Sequence, residues 1–292
     1  MYKLFVLILL SVSVHAQLPD TDIFLAGMSK SKDGKLTFSK PENITHRKGY
    51  DNQSYFTPDG KSMFYVSVQD EKQQADIYKY ELLSRKSVQL TKTAESEYSP
   101  SITPDGKFIS VVRVNADSTQ KMYKLALNNP GNAEMIQGTD SAGYYCWITD
   151  STLAQFLIRE ANVLQTLNIN TGEARLIASD IGRCLKISAD RKHLYFVLKN
   201  NAEEWSIMKL DINTLKTSQV IKTLQGSEDY CVLKDETLLM GKGSKLYKFN
   251  PSIDKDWTEV ADFNGSVNAF YRISVNAAEN KLALVAYTGT KP

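Results

Sequence analysis

The chain is poor in the side chains from which metal and catalytic sites are usually built. Its 292 residues include only three cysteines and three histidines. His15 belongs to the N-terminal apolar segment. His46 and His193 lie far apart, and neither is near a cysteine or a carboxylate pair, so no metal site or other cofactor is expected. There is no Gly-x-Ser-x-Gly elbow, which removes local support for a serine hydrolase. Phosphate-loop and dinucleotide-binding patterns are also missing. Neither sign of charge dominates, with 35 Lys and Arg against 33 Asp and Glu. Such a balance leaves no electrostatic footprint for nucleic acid or an anionic membrane.

Long apolar runs are missing too, apart from one at the start. Lys3 precedes the apolar stretch Leu4–Leu10, and Val14-His15-Ala16 forms a small-x-small site before Gln17. This pattern predicts a cleaved secretory signal over residues 1–16. The stretch is short of the roughly 20 residues a membrane span needs. No cysteine follows it, so no lipid anchor is expected. The mature chain would be periplasmic or secreted, with no membrane insertion. Three cysteines in an exported protein leave at least one unpaired.

What the chain does have is a repeated phrase. Phe56-Thr57-Pro58-Asp59-Gly60-Lys61 returns 46 residues later (102 minus 56) as Ile102-Thr103-Pro104-Asp105-Gly106-Lys107. Each copy is followed by an apolar, strand-like run. A period of about 40–50 residues with several short strands per repeat is the signature of a propeller blade. In the first copy, strands are predicted over Ser54–Thr57, Met63–Val68, Asp76–Leu82 and Ser87–Thr91, with the Pro-Asp-Gly turn between the first two. The order recurs in blades over approximately 50–93, 97–139, 141–180, 182–225 and 227–264. The sixth, 266–292, has only two strands of its own. Asp22-Ile23-Phe24-Leu25-Ala26 resembles Asp76-Ile77-Tyr78-Lys79-Tyr80, and Leu36–Ile44 follows it. Residues 22–45 are therefore expected to complete the last blade and close the ring, leaving no sheet edge at the seam. The predicted fold is all-β: one six-bladed propeller of four-stranded antiparallel blades over 17–292.

The two Thr-Pro-Asp-Gly-Lys copies, each leading into an apolar strand, resemble the WD40-like PD40 repeat. That repeat builds the six-bladed, TolB-like propellers of bacterial envelope proteins. The resemblance spans nearly the whole mature chain and is sharpest in the first two blades. It implies an envelope-associated scaffold. TolB carries an additional N-terminal α/β domain, for which the six repeats leave no room. Related propellers also precede α/β-hydrolase domains in oligopeptidases, and none is expected here after Pro292.

Two groups of residues stand out as candidates. Aligning the repeats on their first strands puts Cys146, Cys184 and Cys231 at one position in three successive blades, where Ser54, Pro100 and Tyr271 stand in the others. Equivalent positions on neighbouring blades should lie roughly 8–10 Å apart. That exceeds the disulfide reach of about 7 Å between Cα atoms. Free thiols packed at the start of the innermost strands are expected. The second group is aromatic and basic: Tyr50, Tyr98, Tyr144, Tyr145, Trp147, Arg183, Tyr230, Tyr271 and Arg272. All fall near the start of innermost strands, where loops surround the propeller axis. Tyr and Arg are enriched at binding hot spots, though aromatics also fill the wedge between blades. Sequons at Asn43, Asn52 and Asn264 carry no weight in a bacterial chain.

The expected role is a non-enzymatic binding platform that engages an envelope protein, peptide or glycan at the face bearing the Tyr/Arg loops. The alternative is a propeller enzyme (a glycan lyase, lactonase or hydrolase) with its site in the axial funnel.

Overall fold

The computed structural model describes residues 18–68 and 74–288. The signal expected over residues 1–16 lies outside the described residues. Among the described residues twenty-five strands follow one another, and no helix interrupts them. The chain opens with β1 (Thr21–Lys30), β2 (Leu36–Phe38) and β3 (Glu42–Asn43). The first blade is β4 (Tyr50–Phe56), β5 (Ser62–Val68), β6 (Ala75–Glu81) and β7 (Lys86–Gln89). The second is β8 (Ser96–Ile102), β9 (Phe108–Val114), β10 (Gln120–Ala126) and β11 (Asn129–Met135). The third is β12 (Ala142–Trp147), β13 (Thr152–Leu157), β14 (Val163–Asn168) and β15 (Ala174–Ser179). The fourth is β16 (Lys186–Ile187), β17 (His193–Lys199), β18 (Trp205–Asp211) and β19 (Thr217–Lys222). The fifth is β20 (Tyr230–Val232), β21 (Leu238–Lys242), β22 (Lys245–Phe249) and β23 (Thr258–Asp262). The chain closes with β24 (Phe270–Val275) and β25 (Lys281–Tyr287).

The sixth blade is made from both ends of the chain. β1 runs antiparallel to β25 from Thr21↔Tyr287 to Gly27↔Lys281. β2 pairs with the end of β1 and β3 with its middle, at Phe24 and Leu25. The single fourth strand expected over Leu36–Ile44 is thus split in two. Pro41 stands at the break, where a residue without an N–H cannot support a continuous ladder. One parallel rung, Thr21↔Tyr50, joins this blade to the first. The Thr21 hydroxyl reinforces the seam by donating to the Asp51 carbonyl at 3.0 Å.

Burial follows directly from strand order. The second strand of each blade is covered on both faces, so it reads as a continuous apolar run. β5 is buried at all seven positions. Alternate side chains point to opposite neighbours. Phe64, Val66 and Val68 pack toward the second blade, while Met63 and Tyr65 pack toward the sixth. β17 repeats this, with Leu194 and Phe196 on one side and Tyr195 and Val197 on the other. Six apolar clusters result, one in each gap between neighbouring blades.

The repeated phrase is a hydrogen-bonded turn. Thr57 Oγ1 lies 2.6 Å from Asp59 Oδ1 and accepts from Ser62 N at 3.1 Å, while Lys61 N donates to Asp59 Oδ1 at 3.0 Å. Thr103, Asp105, Lys107 and Phe108 repeat the same bonds. Gly60 and Gly106 take φ of 67° and 72°, the left-handed region the turn requires. In the fourth blade Ser188 and Asp190 make the same contacts, but Arg191 occupies the left-handed position at φ 60°.

Candidate functional site

The innermost strands begin earlier than their apolar residues suggest. β4 starts at Tyr50 and β8 at Ser96, several residues before the strands expected from Ser54 and Ser101. Polar residues and a bulge interrupt the alternation in both, between Asn52 and Tyr55 and between Tyr98 and Ser101. Gln53 and Ser99 sit in these bulges at φ 53° and 54°. The Gln53 side-chain oxygen accepts from Ser99 N at 2.5 Å, tying the first blade to the second. These irregular strands surround an axial cavity of about 740 Å³.

At the strand-start end, side chains reach across the axis. Arg272 donates to the Tyr144 hydroxyl at 2.8 Å. These residues belong to the sixth and third blades, which face each other across a six-membered ring. Arg183 bridges Glu228 at 2.8 Å and also pairs with Asp229, which lies 3.9 Å from Arg272. Burial works against the Arg272 charge, but Tyr144 and Asp229 outweigh it and keep the guanidinium firmly protonated. Together these groups form the inner end of the cavity. The hairpin turns supply Pro58, Pro104, Gly106, Asp150 and Arg191 at its opposite end. Arg191 donates to the carbonyls of Ile148 and Trp147, both at 2.9 Å, and so clamps the third blade to the fourth.

The aromatic candidates divide by role. Tyr144, Tyr145, Trp147, Arg183, Tyr230 and Arg272 line the cavity, whereas Tyr50, Tyr98 and Tyr271 do not. Tyr50 is buried within the gap between the first two blades. Tyr98 packs against the neighbouring clusters. Tyr145 is held by its hydroxyl, which bonds the Ser99 and Ser110 carbonyls at 2.9 and 2.6 Å. The Trp147 indole donates to Ser110 Oγ at 2.9 Å. Tyr230 is fully buried between the fourth and fifth blades. Tyr271 stacks on Tyr287 with ring centroids 4.7 Å apart and accepts a hydrogen bond from Asn52. Inter-blade packing thus claims Tyr50, Tyr98 and Tyr271 outright, and it fixes Tyr145, Trp147 and Tyr230, which still line the cavity. Tyr144, Arg183 and Arg272 are left at the axis.

All three cysteines are free thiols. They do not share one rung, which corrects the expected register. Counted back from Ile148, Ser188 and Leu233, whose N–H groups close the hairpin turns, Cys146 and Cys231 sit two residues away and Cys184 four. Lys186 fills the equivalent position in the fourth blade. The turn of the third blade is one residue shorter than that of the fourth, which hides the offset in a sequence alignment. Cys184 Sγ lies 3.5 Å from both the N and the O of Tyr230, and Cys231 Sγ lies 3.3 Å from the Ile273 carbonyl. Burial pushes these thiols up to about 12 for Cys184 and about 11 for Cys231. Both are therefore protonated at neutral pH.

Lys186, Arg191 and Asp229 also line the cavity, and the sequence alone does not point to them as a group. The one signal is Arg191, a bulky residue where the repeat calls for glycine. Among the described residues, no group of three or more His, Cys, Asp or Glu is placed to hold a metal ion. His46 makes a backbone bond to Asn43, and His193 pairs with Glu236 at 3.2 Å, away from the cavity.

No protein-family model matches the chain, and no curated protein sequence does. Solved structures do match. A TolB structure from Agrobacterium tumefaciens superposes with a TM-score of 0.72 at 11% identity, covering 94% of this chain and 100% of that one. TolB from Acinetobacter baumannii gives 0.60 at 14% identity, covering 91% of this chain and 64% of that one. The present chain therefore spans less than two thirds of that TolB. An oligogalacturonate lyase in complex with manganese gives 0.61 at 14% identity, covering 92% and 87%. The fold is that of a TolB-like propeller.

Proposed function

We propose that this TolB-like propeller is an exported binding platform, acting in the periplasm or outside the cell, that holds part of an envelope protein, peptide or glycan in its axial cavity. The observation that supports this reading is the make-up of the cavity. About 740 Å³ is the size of a ligand pocket. Its wall combines Tyr144, Tyr145 and Trp147 with four cationic side chains and only two carboxylates. Aromatic and arginine side chains on rigid strands are the usual anchors of recognition. The Tyr144–Arg272 contact occupies the axis at the strand-start end, so the ligand enters between the hairpin turns. The binding face is then the one opposite to that expected from the Tyr/Arg loops.

The enzymatic alternative draws its interest from the lyase of similar fold. The described residues do not offer the donor set a manganese ion would need, so the cavity wall does not fit that group.

Site-specific photo-crosslinking tests the platform. A crosslinking amino acid at Asp150, beside the turn-side mouth, should capture a discrete envelope component. The same amino acid at Leu83, 99% exposed on the outer rim, should not. Equal capture from both positions, or none from Asp150, would overturn the proposal.

A further inference from the structure

One cation in the cavity has neither an ion-pair nor a hydrogen-bond partner for its charged group. Arg183 is paired with Glu228 and Asp229, Arg191 with two backbone carbonyls, and Arg272 with Tyr144. Lys186 lines the same cavity, and its side-chain ammonium makes no hydrogen bond or ion pair among the described residues. Its position on β16 is fixed by the rung Lys186↔Tyr195. Its counterparts in the neighbouring blades are Cys146 and Cys231, and Cys184 lies two residues earlier on its own chain. These thiols are neutral at physiological pH and supply no negative charge. An ammonium drawn out of bulk water without a partner is costly. Burial opposes its charge, but the neighbouring Cys184 and Cys231, followed by Asp229, raise its pKa above the ordinary lysine value. The ammonium therefore stays charged.

We infer that Lys186 anchors a carboxylate group of the ligand, delivered through the turn-side mouth of the axial cavity. The inference rests on reading the cavity as a binding site. A monoanion fits better than a phosphate dianion, because only one cation is uncommitted. Tyr55, Pro100 and Trp147 offer apolar wall for the body that carries the carboxylate. The same chemistry could come from the C-terminus of a peptide or from an acidic sugar.

Cys146 is a built-in reporter, because it faces the cavity and is only half buried. Its thiolate can displace iodide from iodoacetate, an anion, or from iodoacetamide, which is neutral. In either reaction an S–C bond forms and the C–I bond breaks. Mass spectrometry of the Cys146 peptide gives the ratio of the two rates. If Lys186 gathers carboxylates, the ratio should fall by about five-fold or more in Lys186→Met, because the local anion concentration falls with the field. Lys186→Arg should preserve it. An unchanged ratio in a folded Lys186→Met variant would overturn the inference. Should Cys146 resist both reagents, quenching of Trp147 fluorescence by iodide against acrylamide, in a Trp205→Phe/Trp257→Phe background, gives the same discrimination. Protection of Cys146 by N-acetyl-trialanine but not its amide would identify a peptide terminus. Protection by methyl glucuronide but not its methyl ester would identify an acidic sugar. Equal protection by the acid and its neutral analogue would count against the anchor. Capture from Asp150 together with an unchanged ratio would reject the anchor and keep the platform.

Discussion

The left-handed residue of each inner hairpin shows how one position can serve two purposes. At Gly106 it serves only the turn, and a Cβ there would meet nothing within 4 Å. Gly106→Ala would therefore carry the backbone penalty alone, about 1 kcal/mol. Arg191 accepts that penalty and gains two bonds to the third blade. Hydrogen bonds from a charged donor are worth about 1.5–3 kcal/mol each when well placed, and partial exposure reduces that. Arg191→Gly relieves the backbone but frees both carbonyls, so it should lower stability by about 1 kcal/mol. Urea midpoints of the two variants check this. An Arg191→Gly protein more stable than the parent would show that the clamp contributes nothing.

At the scale of the strand, the same rung carries different chemistry in different blades. Asp51 faces Ser67 in the first blade, and Glu97 faces Arg113 in the second. Glu97 is fully buried and lies 3.1 Å from the Arg113 guanidinium. Burial nevertheless wins and raises the Glu97 pKa, with Thr93 and Arg113 opposing it. A carboxyl with a raised folded pKa binds more protons in the native state than when unfolded. Stability must then fall as pH rises from the ordinary glutamate range through the folded pKa. Thermal melts across pH 4 to 7 should show that decline, flattened in Glu97→Gln. A Glu97→Gln protein with the parent's pH profile would mean that Glu97 does not titrate in this window. This strand-level detail also marks the limit of what could be read from sequence. The second strands were legible because two-sided burial writes an uninterrupted apolar run, as in Met63–Val68. The first strands were not, because bulges at Gln53 and Ser99 break the alternation. The Tyr and Arg residues near the axis are recognisable by position, but not their division between packing and cavity wall. Lys186 carries no signal, since a lysine in a two-residue strand resembles any solvated one.

At the scale of the molecule, one segment decides whether the ring exists. β1 supplies the third strand of the sixth blade, with seven rungs to β25 and one to β4. Ile23 lies fully buried in the cluster that joins the last blade to the first. The Asp22 carboxylate accepts from Asn43 at 2.6 Å and Thr45 at 2.9 Å, holding the connection back to the first blade. Removing Asp22–Ile44 would leave the sixth blade with β24 and β25 alone. The unpaired edge would be Lys281–Tyr287, whose interior positions Leu282–Ala286 are all buried in the intact ring. A long apolar edge of that kind recruits other strands. The deletion variant should therefore unfold or self-associate, as read by circular dichroism and light scattering after size exclusion. A gentler variant separates closure from loss of chain. Ile23→Asp keeps every backbone rung but buries an unpaired charge between the blades, and should cost about 3 kcal/mol or more. Should the deletion yield a stable monomer, the seam would not be what holds the ring closed, and the axial cavity would have to owe its shape to the remaining five blade interfaces.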